Sequence, residues 1–263
     1  MRTSGEQELA QGTMNRVVRR GEWVLRPAGR HTPFVQELLA VLAEAGCSWA
    51  PRPGGLTPDG RERLSFVAGL GDWELLARGG DPYAQRPLLQ AVRWVRELHD
   101  LTTVSGPGAG LAAEVTCHGD LGTHNLLYTP DGAAAGLIDF DLAHRGSRAD
   151  DLATALKELA RLGEPGSAHQ QVLTSVRLLA AYGWAAVDVK AVLDRIPSAF
   201  TDDLAFCSEQ ARQGNPFYQR WASSDEPARL QARAHRAVAL VPDLRSAALD
   251  ARNAWCDAGS EQR

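Results

Sequence analysis

Cys117-His118-Gly119-Asp120-Leu121-Gly122-Thr123-His124-Asn125-Leu126-Leu127-Tyr128, followed by Leu137-Ile138-Asp139-Phe140-Asp141, is the stretch on which the reading of this chain turns. Leu126-Leu127-Tyr128 and Gly136-Leu137-Ile138 are β-favouring runs separated by the turn residues Pro130-Asp131-Gly132, a pattern that predicts two paired strands. Such a hairpin brings Asp139 back beside Asn125. Asp and Asn also cap ordinary turns, so any one of these residues alone would say little. Their joint order and spacing say more.

Each polar residue of the stretch has a role if the chemistry is phosphoryl transfer. That reaction has a loose transition state with charge on the equatorial oxygens, so it needs positioning and electrostatic stabilisation. A carboxylate must stand beside the attacking hydroxyl, and oxygen ligands must hold magnesium on the phosphates. Asp120 would orient the acceptor hydroxyl and take its proton. Asn125 and Asp139 would hold the metal.

Working outward toward the amino terminus, residues 16–26 place two β-favouring runs around Arg20-Gly21 and predict a hairpin. Thr32-Pro33, the apolar residues Leu38, Leu39, Val41 and Leu42, and Gly46 predict a helix with Thr32 as N-cap, Pro33 at its first position and Gly46 past its end. Pro51 to Gly60 is a punctuated link, and residues 61–67 read as a strand. Gly69, Gly71, Gly79 and Gly80 then break the pattern, which sets a lobe boundary there.

Helices dominate beyond that boundary. Leu88, Val92, Val95 and His99 repeat at helical spacing, residues 105–110 form a Gly/Pro-rich link, and helices are expected over 150–162, 170–182, 187–196 and 227–254. The chain of 263 residues, 44% hydrophobic, can bury one two-lobed domain or two small ones. A net charge of -4, from 28 basic and 32 acidic residues, gives no reason to expect a nucleic-acid partner. Cys47, Cys117, Cys207 and Cys256 form no CxxC pair and read as reduced thiols. A polar first segment and the lack of a long apolar run lead to the expectation of a cytoplasmic protein without membrane attachment.

His118-Gly119-Asp120 with Asn125, then Ile138-Asp139-Phe140-Asp141, resembles the H-G-D-x-x-x-x-N and I-D-[FW]-[DEG] signatures of the aminoglycoside phosphotransferase and choline kinase superfamily, relatives of the eukaryotic protein kinases. The resemblance implies an α+β, two-lobed protein-kinase-like fold, with a small α+β nucleotide-binding lobe over 1–68 and a mainly helical catalytic and substrate-binding lobe over 69–263. It maps the catalytic Asp to Asp120 and the magnesium ligands to Asn125 and Asp139. It further implies a phosphate-binding cation on an amino-lobe strand paired with a Glu on the next helix. With the only lysines at 157 and 190, these map to Arg26 and Glu37. Arg keeps the charge and offers a fork suited to phosphate oxygens.

By the same resemblance Ser65, Phe66 and Val67 occupy the hinge that meets the nucleotide base, Gln11 to Asn15 the phosphate loop, His118 a prop within the catalytic loop, and Asp151 a brace for it. The implied activity is transfer of the γ-phosphoryl group of magnesium-bound ATP or GTP to a hydroxyl of a small, antibiotic-like acceptor of aminoglycoside type. A metabolite kinase acting on an amino alcohol, nucleoside or amino sugar is the alternative, and a nucleotide-binding pseudokinase module is a second.

Overall fold

In the computed structural model, residues 6–9, 17–103 and 114–260 are described. The expected phosphate loop at 11–15 and the link at 105–110 lie outside them. The chain forms two compact units, Met1–Pro87 with Trp94–Ser147, and Leu88–Arg93 with Arg148–Arg263.

In the first unit, strands β1 (Gln7–Glu8), β2 (Val18–Arg20), β3 (Trp23–Pro27), β4 (Pro53–Leu56) and β5 (Arg61–Ser65) form an antiparallel sheet in the order β1-β2-β3-β5-β4. Gly21, at φ 60°, supplies the left-handed residue that a two-residue hairpin turn needs between β2 and β3. β3 pairs with β5 so that Val24 lies opposite Leu64 and Arg26 opposite Glu62. Directly opposed residues project from the same face of a sheet, so this register brings Arg26 and Glu62 together.

Helix α1 (Thr32–Glu44) buries Val35, Leu38, Leu39 and Leu42, the spacing of one helical face. Its end is a Schellman turn: Gly46 N–H donates to Ala43 and Cys47 N–H to Leu42, with Gly46 at φ 81°. The expected N-cap is corrected. Thr32 already lies inside the helix and His31 precedes it, because the Thr32 hydroxyl accepts from Gly29 N–H at 3.0 Å in the turn leading in.

Beyond β5 the chain crosses to a second hairpin, β7 (Leu126–Tyr128) with β8 (Ala134–Leu137), and Leu70 exchanges two backbone hydrogen bonds with Tyr128. Gly69 makes the crossing possible, since a Cβ there would lie 2.8 Å from Leu127 Cβ. Helices α2 (Asp72–Ala77) and α3 (Gln85–Thr102) follow the crossing, and β6 (Val115–Cys117) pairs with β9 (His144–Gly146). Trp49 stacks on Trp94 of α3 at 5.7 Å and donates its indole N–H to Glu97 at 2.8 Å. Burial beside Glu97 pushes the Cys47 thiol up to about 12, which keeps it protonated.

In the described residues of the second unit the regular structure is helical: α4 (Arg148–Glu158), α5 (Ala168–Tyr182), α6 (Val189–Arg212), α7 (Pro216–Ala222), α8 (Glu226–Ala239) and α9 (Val241–Ser260), with a short 3-10 turn at Trp184–Ala186. Two expectations change. The helix expected to end at Ile196 continues through Pro197, where Ile196, Ala199 and Phe200 are buried along the helix and their burial outweighs the roughly 3 kcal/mol that an interior proline costs. The single helix expected over 227–254 divides at Leu240. Pro242 is the cause, since a proline suits a first helical turn and not a helix interior. Lys157 of α4 is buried, reaching Ala199 O at 3.2 Å and the Asp203 carboxylate. Gly163, at φ 78°, lets α8 pass so close that a Cβ would lie 2.2 Å from Arg233 O. No helix among the described residues is long and apolar enough to cross a membrane.

Candidate active site

The loop after β6 turns at Gly119, whose φ of 81° admits the turn and whose missing Cβ would otherwise lie 2.2 Å from Leu142 O. His118 beside it is fully buried. Its Nε2 donates to Ile138 O at 3.1 Å, its Nδ1 accepts from Asp120 N–H at 3.3 Å, and its ring packs on Phe140. One imidazole therefore ties the loop carrying Asp120 to the strand end carrying Asp139. A 3-10 turn at Thr123–Asn125 follows, fastened to α2 by the Thr123 hydroxyl donating to Asp72 at 3.3 Å.

Asn125 is buried, and its amide nitrogen donates to the main-chain oxygen and to Oδ2 of Asp120, both at 2.9 Å. This leaves Asn125 Oδ1 without a hydrogen-bond partner among the described residues, as an available oxygen ligand. His124 Nε2 reaches the same Asp120 oxygen at 3.3 Å. Burial acts to raise the Asp120 carboxyl, but the His124 hydrogen bond and charge, the nearby His118 and the Asn125 amide outweigh it and hold the carboxyl below the usual carboxylate value. The group is an anion at neutral pH.

Ile138 N–H donates to Asn125 O at 2.9 Å, so the expected hairpin does bring Asp139 beside Asn125. Asp139 stands at φ 64°, a left-handed conformation that costs a non-glycine residue about 1–2 kcal/mol. The two side chains offer a carboxylate and an amide oxygen, the hard oxygen donors that suit magnesium, so the residues fit the metal that the sequence implies.

Arg26 lies among three carboxylates: its Nε donates to Glu62 Oε2 at 2.8 Å, Nη1 is 3.5 Å from Asp139 Oδ1, and Nη2 donates to Asp141. Burial lowers the guanidinium's pKa, and the charges of Asp141, Glu62 and Asp139 more than reverse this, so Arg26 holds its proton more firmly than usual. Burial pushes the Asp141 carboxyl up. Arg26 and His31, whose Nε2 is 3.3 Å away, oppose that rise while Asp139 adds to it. The pairing expected for Glu37 is corrected: Glu37 is exposed on α1, one position beyond the side of the helix that meets the sheet, and Glu62 is the paired carboxylate. Gln36, on that inward side, donates to Glu62 Oε1 at 2.9 Å.

A mainly apolar cavity of about 340 Å³ opens beside this cluster, lined by Val24, Leu64, Leu127 and Ile138 as well as by Arg26 and Asp139. The expected hinge residues Ser65, Phe66 and Val67 line it too. Ser65 N–H and hydroxyl are bonded to Arg52, and Phe66 N–H to Glu22 O, whereas Val67 N–H and C=O have no hydrogen-bond partner among the described residues. That edge is open to a base. Gly136 backs it, since a Cβ there would lie 2.6 Å from Val67 Cγ1 and 2.9 Å from Trp49 O. The volume falls at the small end of ligand pockets, and its apolar wall with a few convergent polar groups suits a nucleoside.

Sequence reasoning missed Glu62, Asp141, His31, Gln36 and the cavity residue Trp73. The available signal for Glu62 was the alternation in β5, where an inward Leu64 two residues on places Glu62 inward as well. His144 is an exposed residue whose Nδ1 lies 3.0 Å from Leu142 O. Asp151 is buried on α4 in the second unit.

The sequence model of the phosphotransferase enzyme family, APH, matches residues 20–189. Among solved structures the fold resembles an ethanolamine kinase from Plasmodium vivax, with 12% identity, coverage of 92% of this chain and 84% of that chain, and a TM-score of 0.60. It also resembles macrolide 2'-phosphotransferase MphH from Brachybacterium faecium, with 15% identity, 83% and 90% coverage, and a TM-score of 0.56. The enzyme of the gentamicin-APH(2")-IIa complex is similar at 12% identity, 92% and 94% coverage, and a TM-score of 0.54. No curated protein matches the sequence.

Proposed function

From the membership of this chain in the phosphotransferase enzyme family, whose solved relatives have a kinase-like fold, we propose that it transfers the γ-phosphoryl group of magnesium-bound ATP or GTP to a hydroxyl of a small antibiotic-like acceptor. The observation that carries the reading is the Asp120–Asn125–Asp139 arrangement: a carboxylate oxygen without a partner among the described residues, an amide oxygen and a second carboxylate, joined by the Asn125 amide and the Ile138–Asn125 backbone bond.

Asp120 has one carboxylate oxygen held by Asn125 and His124, and the other accepts the hydrogen bond of the acceptor hydroxyl, aims it and takes its proton. Asn125 and Asp139 would hold the metal, which when bound would offset charge on the phosphate oxygens. Arg26 meets the phosphates, and the open main-chain edge of Val67 receives the base. His118 keeps the two loops in register.

The test is a magnesium-dependent transfer screen with ATP and GTP against aminoglycosides, macrolides, nucleosides and amino alcohols, read by mass spectrometry. Phosphorylation of an antibiotic hydroxyl, lost in Asp139→Ala, is the expected result. Phosphorylation of amino alcohols alone would replace the acceptor class. Nucleotide binding with no product from any acceptor would favour the pseudokinase reading.

A further inference from the structure

We infer that Glu62 is the positioning residue that sets Arg26 for the nucleotide phosphates, and that Gln36 buttresses it, so that strand β5 does the work assigned above to a glutamate of helix α1. The inference rests on the reading of Arg26 as the phosphate cation. Glu62 is fully buried, directly opposite Arg26 in the β3–β5 register, and bonded to the guanidinium Nε at 2.8 Å. Its second oxygen accepts from the Gln36 amide at 2.9 Å, and Gln36 is itself fixed by accepting from Gly55 N–H at 2.8 Å and donating to Arg63 O at 3.4 Å. The carboxylate is therefore held from the sheet, the helix and the β4 strand together.

This fixes one edge of a planar fork. With Nε committed to Glu62, the guanidinium can rotate little, and its Nη1 and Nη2 edge faces Asp139, which lines the cavity, and Asp141. Without Glu62 the carboxylates left to Arg26 among the described residues would be Asp139 and Asp141. The cation, already bonded to Asp141, would then be free to close the 3.5 Å gap to Asp139, blocking that carboxylate and withdrawing from the phosphates. Removing a negative charge also weakens repulsion of the nucleotide. That effect is the smaller one, because the Glu62 charge is already matched by Arg26 in direct contact. His31, Glu62 and Asp141 converge within 4.8 Å, and the Arg26 guanidinium that bonds Glu62 and Asp141 supplies the positive charge of this group.

The test compares ATP and adenosine affinity by calorimetry, with magnesium present, in wild type, Glu62→Gln and the exchange Glu62→Gln with Gln36→Glu, which moves the carboxylate from the strand to the helix. Glu62→Gln should lose about tenfold or more in ATP affinity, the scale of one charge-assisted hydrogen bond, with adenosine affinity unchanged. The exchange should recover most of the loss. Equal losses for ATP and adenosine would mean a purely structural role and overturn the inference. So would unchanged or tighter ATP binding in Glu62→Gln, or a loss seen in Glu37→Gln instead. Wild type binding ATP no more tightly than adenosine would overturn the phosphate role of Arg26 itself, a result separable from all of these.

Discussion

The Asn125 amide nitrogen donates both to the Oδ2 atom and to the main-chain oxygen of Asp120, at 2.9 Å each. One buried side chain thus sets the rotamer of the candidate base and the conformation of its backbone. Asp120→Asn removes the negative charge and the proton acceptor together. Turnover should fall about a hundredfold or more, as for loss of a positioned base, while the Kd for ATP stays near wild type. Turnover within a few-fold of wild type in single-turnover assays would remove Asp120 from the chemistry.

The acid stability of the fold should depend on the same group. Asp120 ionises more readily in the folded chain than in the unfolded one, so its carboxylate contributes stability above the unfolded value of about 3.9 and loses it as pH falls through the lower folded value. Wild type should exceed Asp120→Asn in urea midpoint at neutral pH. The gap should shrink below about pH 4. A gap of constant size down to pH 3 would mean that the carboxylate is not held by its neighbours.

His118→Phe keeps an aromatic ring against Phe140 and removes both polar contacts. Ile138 O and Asp120 N–H then lose their partner, at a cost of about 1–3 kcal/mol in denaturant unfolding for a buried group left unsatisfied. Turnover should fall as well, because the loops carrying Asp120 and Asp139 lose their common tie. Stability lost with full turnover would show that His118 supports the fold without setting the site.

Gly136→Ala places a methyl group against Val67 and the Trp49 carbonyl. Because the carbonyl belongs to a backbone already bonded to Leu137 N–H at 2.8 Å, Val67 must give way toward the cavity. Stability should fall by about 1–3 kcal/mol, and adenosine binding should weaken along with ATP binding. Adenosine affinity equal to wild type would place the base elsewhere.

Lys157→Met tests the second unit alone. It keeps the aliphatic stem and removes the donor to Ala199 O and Asp203, so unfolding should become easier by about 1–2 kcal/mol with no change in ATP affinity. A shift in ATP affinity would link the two units energetically.

The loop at 118–125 and the strand end at 137–141 were legible because their geometry is local: Asp120 and Asn125 lead into one hairpin and Asp139 follows it, and the turn residues of that hairpin are written in the sequence. The pairing of Arg26 was not. Choosing between Glu37 and Glu62 requires knowing that β5, not β4, lies beside β3, and that order is set by the packing of the whole sheet. Helix breaks were misread for a related reason. Pro197 and Pro242 carry the same backbone restriction, yet buried neighbours keep one inside a helix while the other opens a new one. The start of α1 shifted by one residue because the Thr32 hydroxyl serves the preceding turn.

Asp139 at φ 64° has a consequence for anyone evolving this protein in the laboratory. Glycine there would relieve about 1–2 kcal/mol of backbone strain, against about 0.4–1 kcal/mol of added unfolded-state entropy, and would end both the repulsion with Asp141 and the partly exposed 3.5 Å pairing with Arg26, which offset each other. Selection for heat resistance alone would therefore favour Asp139→Gly and discard a carboxylate on which the proposed chemistry depends. Libraries of this chain should be sorted on turnover first and on melting temperature second.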